Sequence, residues 1–232
     1  MRIAIVGNGR MGQTLAALAV DQGHTIHTVI SSEGNAGGRA LVPARLRGSD
    51  VALEFTRPEA AVDNLEKLLE LGIPTVTGTT GWYDALPRVM ACTMEHGGAL
   101  LHSANFSVGV HLFLRAAREL ARLLKDRPEF AGSITEEHHS SKRDAPSGTA
   151  LLLQRGLTAS DPERSFPISS LRQGSVPGTH TLNYDGPHEN ILLSHVARSR
   201  EAFAAGALLA AQWLPGKTGV FTFEDILFGP AA

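Results

Sequence analysis

The sequence predicts an α/β fold in two parts: a parallel sheet covered by helices, then a smaller α+β domain on an antiparallel or mixed sheet. Three observations predict it. Short apolar runs alternate with helical patterns through residues 1–107. A glycine-rich turn follows the first of those runs. Beyond Val108 the pattern changes to strands separated by Gly and Pro turns. Alternating strands and helices point to a parallel sheet buried on both faces, and strands joined by short turns point to antiparallel pairing.

The elements follow in order. Ile3–Val6 reads as a buried strand and Met11–Gln22 as a helix, with Leu15, Leu18 and Ala19 at helical spacing. His24–Ile30, rich in Thr, Ile and Val, is a second strand, and Val51–Phe55 a third. Pro58–Leu71 carries Val62, Leu65, Leu68 and Leu69 on one helical face. Ile73–Thr77 and Ala99–His102 are strands, with a helix over Trp82–Glu95 between them. Val108–Lys125 is a long amphipathic helix. Ser133–Ser140 alternates like a strand, and Ala145–Leu157 starts with Pro and becomes helical. Ile168–Leu171, His180–Tyr184 and Asn190–His195 are strands, Arg200–Trp213 is a helix, and apolar Gly219–Leu227 is placed to return to the first sheet.

At about 150 residues per domain, a chain of 232 allows one large domain or two small ones. Apolar residues make up 43% and charged residues 19%, which excludes a disordered or collagen-like chain. A net charge of −2 argues against a nucleic-acid binder. Cys92 is the single cysteine, so no internal disulfide framework forms, as suits a reducing cytosol. No run approaches the ~18 apolar residues of a membrane span, and Met1–Val6 is too short for a signal-peptide core. The expectation is a soluble cytoplasmic protein.

Gly7-Asn8-Gly9-Arg10-Met11-Gly12 ends the first strand and opens the first helix. In that G-x-G-x-x-G arrangement the first glycine makes the tight turn, the second admits a pyrophosphate, and the third packs helix on strand. A dinucleotide is therefore expected. The acidic residue usual at the end of the second strand is absent: Ser31 and Ser32 stand there, with Glu33 beyond. A 2′-phosphate would not be repelled, Arg10 can neutralise it, and Glu33 is an alternative ribose acceptor. The choice between NADPH and NADH stays open, leaning to NADPH. Gly78-Thr79-Thr80-Gly81 and Ser103-Ala104-Asn105-Phe106-Ser107 follow later strands, where parallel sheets place their ligand loops.

The richest stretch is Glu136-Glu137-His138-His139-Ser140-Ser141-Lys142-Arg143-Asp144-Ala145-Pro146-Ser147-Gly148-Thr149-Ala150. Ser147-Gly148-Thr149 opens a helix whose free N–H groups, with the Thr hydroxyl, suit a carboxylate or phosphate. Lys142 and His139 add positive charge, and His138 suits proton transfer near neutral pH. Adjacent histidines on a strand point to opposite faces, so at most one of the pair is expected to be catalytic. With no H-E-x-x-H and one thiol, no metal is expected.

These residues resemble the signature of the 4-hydroxy-tetrahydrodipicolinate reductase (dihydrodipicolinate reductase) family. The resemblance continues through Gly9-Arg10-Met11-Gly12, Glu54-Phe55-Thr56, Gly78-Thr79-Thr80-Gly81 and Ser103-Ala104-Asn105-Phe106-Ser107-Val108-Gly109. It extends to Arg172-Gln173-Gly174-Ser175-Val176-Pro177-Gly178-Thr179-His180 and Ser199-Arg200-x-x-Phe203-Ala204-x-Gly206-Ala207, so it covers nearly the whole chain. The phosphate loop is one residue shorter than the family's, the segment from Ser31 to Ser49 is compressed, and Glu54 replaces the family's Asp.

The resemblance implies a Rossmann dinucleotide-binding domain over 1–107 and 207–232, and an α+β mixed-sheet substrate and tetramerisation domain over 108–206. It implies a cytoplasmic homotetramer that reduces a small dicarboxylate with NADH or NADPH, in diaminopimelate and lysine biosynthesis. His138 would be the proton donor or acceptor and Lys142 the second proton donor. His139, Gly148 and Thr149 would bind substrate. Gly7, Asn8, Gly9, Arg10, Met11, Gly12, Gly78, Thr79, Thr80, Ser103, Ala104, Asn105 and Phe106 would hold the cofactor. Glu136, Glu137 and Asp144 are expected to orient Lys142 and the histidines or to pair with Arg143. Two other readings remain: a dehydrogenase of another small imino acid, and a non-catalytic nucleotide sensor.

Overall fold

The computed structural model describes residues 1–229. In chain order its elements are β1 (Arg2–Val6), α1 (Arg10–Asp21), β2 (Thr25–Ile30), α2 (Pro43–Leu46), β3 (Val51–Glu54), α3 (Pro58–Glu70), β4 (Thr75–Thr77), α4 (Leu86–Glu95) and β5 (Ala99–His102). Then come α5 (Val108–Leu124), β6 (Ala131–His138), α6 (Gly148–Ser160), β7 (Ile168–Arg172), β8 (Thr179–Asp185), β9 (Asn190–Val196), α7 (Glu201–Trp213), β10 (Gly219–Thr222) and α8 (Phe223–Phe228). They form two compact units: Met1–Ser107 with the segment from Glu201 onward, and Val108–Arg200.

The first unit is a six-stranded sheet in the order β10-β5-β4-β3-β1-β2, parallel throughout. The fully buried runs Ile3–Val6 and Val51–Leu53 supply its centre, as expected of strands covered on both faces. Ala4, Val6 and Ala52 pack with Leu41, Leu46 and Leu68. Leu100 packs with Leu65, Leu69, Trp82 and Val89 of the neighbouring helices. From β1 the chain goes to one edge with β2, then crosses back to β3 on the other side. That reversal opens a crevice beyond the strand ends. The returning tail contributes α7, which packs against α1, β3 and β4, and β10, which pairs with β5.

The second unit is a four-stranded sheet, β7-β6-β8-β9. β6 pairs parallel with β7 and antiparallel with β8, which pairs antiparallel with β9. Its inner face carries Ile134, Leu182 and Tyr184 against Phe113 and Leu114 of α5 and Leu153 and Leu157 of α6. Each of the aliphatic and phenyl side chains among them, where fully buried, contributes about 1.5–3 kcal/mol. The two-residue period of β6 extends this buried row from Gly132 and Ile134 to Glu136 and His138.

The structure redraws several expected boundaries. Trp82–Glu95 divides into a short 3₁₀ turn, Tyr83–Ala85, and α4. α6 begins at Gly148, after Pro146. The tail is not one strand: Thr222 caps α8, its side chain and backbone N–H both bonding the Asp225 carboxylate. The compressed segment after β2 holds a turn, Ala36–Gly38, and the single-turn α2, neither visible as a periodic pattern. Among the described residues no helix is long and apolar enough to cross a membrane.

Candidate active site

In the first unit the loop from β1 to α1 is built around two close approaches. Gly7 has φ +109°, and a Cβ there would stand 2.1 Å from the Phe55 carbonyl oxygen. A Cβ on Gly12 would stand 1.9 Å from the Gly7 carbonyl oxygen. Only glycine lets α1 start this tightly against β1. α1 begins after Gly9 with no side-chain cap and no acidic residue in its first turn. Nothing lies within 4 Å of where a Gly9 Cβ would be. The first-turn N–H groups thus face open space at the positive end of a helix, with Arg10 exposed beside them, and the site fits a diphosphate.

Beside this loop lies a cavity of about 240 Å³. Met11, Phe55, Thr56, Gly78 and Thr79 line one part, and Ala104, Asn105, Phe106 and Phe203 the rest. Its floor is hydrogen-bonded. The fully buried Glu54 carboxylate accepts from Thr77 Oγ1 at 2.6 Å, from Thr56 Oγ1 and from Asn64 Nδ2 at 3.4 Å. Thr56 N–H donates to Thr79 Oγ1 at 2.8 Å. Burial pushes the Glu54 carboxyl above the ordinary carboxylate range, although the hydroxyl and amide donors pull it back.

Met11, Gly78, Thr79, Ala104, Asn105 and Phe106 of the expected cofactor residues line this cavity. Gly7, Gly9, Arg10 and Gly12 belong to the phosphate loop, Asn8 and Thr80 are exposed, and Ser103 donates to the Asn105 carbonyl oxygen at 2.6 Å. The sequence reading assigned no site role to Phe203, which lies 97 residues beyond Phe106, the nearest of the other cavity residues in sequence, and reaches them only because α7 packs back on the sheet. At the tip of β2, Ser31 is half-buried and Ser32 and Glu33 are exposed.

The second unit carries the other cluster. His138 is buried at the end of β6, and His139, next along, is half-buried with its Nδ1 2.8 Å from Ser141 Oγ. His138 Nδ1 lies 2.5 Å from Oε2 of the fully buried Glu136. Oε1 of the same carboxylate accepts from Arg172 Nη2 at 2.7 Å and from the Ser147 N–H at 3.3 Å. Burial alone would push Glu136 up; hydrogen bonds from Arg172, Ser170 and Ser147 outweigh it and hold the carboxyl at about 2. Burial lowers His138, an effect that Glu136 opposes and Lys142 and Arg172 reinforce. His180, from β8, stands edge-on to His138 with ring centroids 5.2 Å apart and its Nε2 3.1 Å from Ser147 Oγ. It is lowered to about 4, first by burial and then by His138.

Lys142 Nζ sits 2.8 Å from each Asp144 carboxylate oxygen, so Asp144 orients this lysine. Glu137 takes the Gln173 amide instead. α6 starts with Ser147 as its cap, whose Oγ accepts the Ala150 N–H at 3.2 Å. The Gly148 and Thr149 N–H groups precede the first intrahelical bond and are available to an anion. A Cβ on Gly148 would meet nothing within 4 Å, so that end is open.

Glu136, His138 and His180 also bring three possible ligand atoms within 4.8 Å of one another. However, the 2.5 Å between Glu136 Oε2 and His138 Nδ1 is a hydrogen-bond distance. Two ligands on a tetrahedral zinc, each about 2.0–2.1 Å from the metal, stand about 3.3 Å apart. The set fits a metal poorly as it stands. Sequence reasoning gave no defined role to Arg172 and His180, which only strand pairing brings to Glu136.

Comparison with known proteins bears on both units. Residues 1–106 match the family model described as dihydrodipicolinate reductase, N-terminus, and residues 109–227 the one described as its C-terminus. A 4-hydroxy-tetrahydrodipicolinate reductase of Christiangramia forsetii is 34% identical over 238 residues, covering 98% of each chain. One from Thiobacillus denitrificans is 34% identical over 265 residues, again covering 98% of each. Among solved structures, a dipicolinate-bound dihydrodipicolinate reductase from Paenisporosarcina sp. superposes with a TM-score of 0.80 at 20% identity, covering 98% of this chain and 99% of the other. A probable dehydrogenase from Thermotoga maritima gives 0.61 at 10% identity, covering 97% and 92%, and shares the fold alone.

Proposed function

The chain belongs to the dihydrodipicolinate reductase family, and from that premise we infer how its residues divide the reaction. The enzyme reduces 4-hydroxy-2,3,4,5-tetrahydrodipicolinate to 2,3,4,5-tetrahydrodipicolinate with NADH or NADPH and releases water, in diaminopimelate and lysine biosynthesis. The bound dinucleotide supplies the hydride. Binding, orientation and proton movement fall to the protein.

The observation that carries the assignment of roles is the cluster in the second unit: an imidazole, a lysine and a Ser147-capped helix N-terminus whose Gly148 and Thr149 N–H groups stay open, in one short stretch. Hydride addition to the unsaturated imine builds negative charge on the ring, which a positioned acid must quench. His138 is the proton donor or acceptor in that step, and Lys142 the second proton donor. The substrate carries two carboxylates. His139, the Gly148 and Thr149 N–H groups and the Thr149 hydroxyl bind them at the positive end of α6. A net charge of −2 offers little global attraction, so the site concentrates positive charge locally. The dipicolinate held by the Paenisporosarcina protein supports a planar dicarboxylate as the ligand class.

In the first unit Gly7–Gly12 receives the diphosphate, and Gly78–Thr80 with Ser103–Phe106 receives the nicotinamide end. With serines rather than a carboxylate at the β2 tip and Arg10 at the α1 N-terminus, both dinucleotides are accepted and NADPH is favoured. The enzyme is cytoplasmic and works as a homotetramer through the outer face of the second sheet. On that face Leu171, Glu137, Thr179 and Val196 form one row across all four strands, and Leu192 and Val196 are 65% and 60% exposed.

Substrate made in situ by the preceding synthase, offered with NADPH and with NADH, tests the reading. Turnover is expected with both and a higher kcat/KM with NADPH, and pyridine-2,6-dicarboxylate is expected to compete with substrate. Cofactor binding without turnover would refute it.

A further inference from the structure

Resting on that reading, we propose that Glu136 is a positioning residue for His138, an anchored anion that fixes the tautomer and the aim of the imidazole. Three contacts carry the proposal. The carboxylate is fully buried, and Oε2 lies 2.5 Å from His138 Nδ1. At that ion-pair distance two lone pairs would repel and a carboxylate cannot donate, so Nδ1 carries the proton and the substrate is left with Nε2. The carboxylate is itself held: Arg172 Nη2 binds Oε1 at 2.7 Å and the Asp144 carbonyl oxygen at 2.6 Å. The Ser147 N–H, at the cap of α6, binds the same oxygen at 3.3 Å. One buried carboxylate therefore ties the proton carrier, the loop bearing Lys142 and the helix end assigned to substrate into a single frame.

The charges around His138 support the assignment. Arg172 faces it from β7, His180 from β8, and Lys142 from the loop after β6. His195, on β9, adds to the field on His180. Among these groups Glu136 is the one acid, and it opposes what burial and the cations do to the ring. Without it, the imidazolium loses the anion paired with Nδ1.

Three readouts test this. Glu136→Gln is expected to lower kcat about 10- to 100-fold, part of the about 10²–10⁴ that a positioned acid contributes. NADPH affinity should stay within about twofold, because the phosphate loop and the Met11–Phe203 cavity lie in the first unit. The alkaline fall in kcat/KM, which follows loss of the His138 proton, should move to lower pH, and Glu136→Asp should recover part of the rate. Placed on a His138→Ala background, Glu136→Gln should cost nothing further, since its effect passes through the imidazole. A full additive loss in the double variant, or a single variant with the wild-type pH profile, would overturn the proposal. The wild-type protein gives a second measurement that no folding defect can obscure. The ¹⁵N-resolved imidazole spectrum should show His138 protonated on Nδ1, and an Nε2–H tautomer would refute the assignment. Wild-type protein without turnover would instead sink the reductase reading and leave the tautomer test standing.

Discussion

The buried carboxylate of Glu54, at the end of β3, accepts a 2.6 Å hydrogen bond from the hydroxyl of Thr77, at the end of β4. With Thr56 and Asn64 on its other oxygen, it binds together the two strand ends under the Phe55–Thr79 side of the cavity. Glu54→Leu would leave those buried donors unpaired, at a cost of about 1–3 kcal/mol. Urea unfolding should record that loss, and the KM for NADPH should rise while substrate binding holds. Glu54→Gln, which keeps an acceptor, should lose less. Equal behaviour of the two variants would show that the network does not set the cavity floor.

Lys142 separates two roles that one charge can play. If it supplies a proton, Lys142→Ala should lower kcat by about 10²-fold or more, within the range of general acids. Lys142→Arg should restore the substrate KM and not kcat, because a guanidinium keeps its proton above pH 12 or so. Steady-state kinetics decide it. Recovery of kcat by arginine would make Lys142 a binding charge only.

The buried histidines make stability fall in mild acid. His180 is held neutral down to about 4 by burial and its cationic neighbours, whereas in the unfolded chain it protonates near the ordinary 6.5. Between those values the unfolded state binds more protons, so stability is complete above about pH 6.5 and declines as pH falls toward 4. At 1.36 kcal/mol per unit, that is about 3 kcal/mol as an upper bound. His138 and His195, also lowered by burial, add in the same direction. Glu136, held at about 2, adds a further loss only below its unfolded value of 4.5. Urea midpoints at pH 7.5, 5.5 and 4.5 should fall in that order, and His180→Gln should flatten the slope. A midpoint independent of pH across this range would contradict the burial of these rings as described.

The outer face of the second sheet gives the oligomer test. Leu192→Glu and Val196→Glu place charges on a face that is exposed in one chain and buried if copies pair there. Sedimentation should show wild-type mass near four chains and a smaller species for the double variant, with each chain still folded. A monomeric wild type would rule out the tetramer.

Much of this protein is legible locally. The glycine spacing of Gly7–Gly12 carries its own structural reason, since Gly7 and Gly12 stand where any Cβ would strike backbone. Periodicity placed β1, β3, β5 and α5 within a residue or two, because those runs are buried on definite faces. The stretch from Glu136 to Thr149 suggests proton transfer and anion binding by its composition, and the fold gathers Glu136, His138 and Ser147 in one cluster. Glu136 was within reach too: two residues before His138 on a strand puts it on the same face. The segment between Ser31 and Asp50 was not legible, because its turn and α2 are too short to show a period.

By itself, then, the sequence determined the family and the two kinds of sheet, and singled out the side chains proposed to react, since these rest on short-range spacing. The tertiary structure alone decided who partners whom. Arg172 and His180 stand 36 and 44 residues from Glu136, and only the β6–β7 and β6–β8 registers, which pair His138 with Arg172 and Glu136 with His180, bring them to it. Phe203 reaches the cavity beside the β1–α1 loop through the packing of α7 on the first sheet. Strand register and helix docking are set by burial summed over a whole unit, and no local pattern contains that sum.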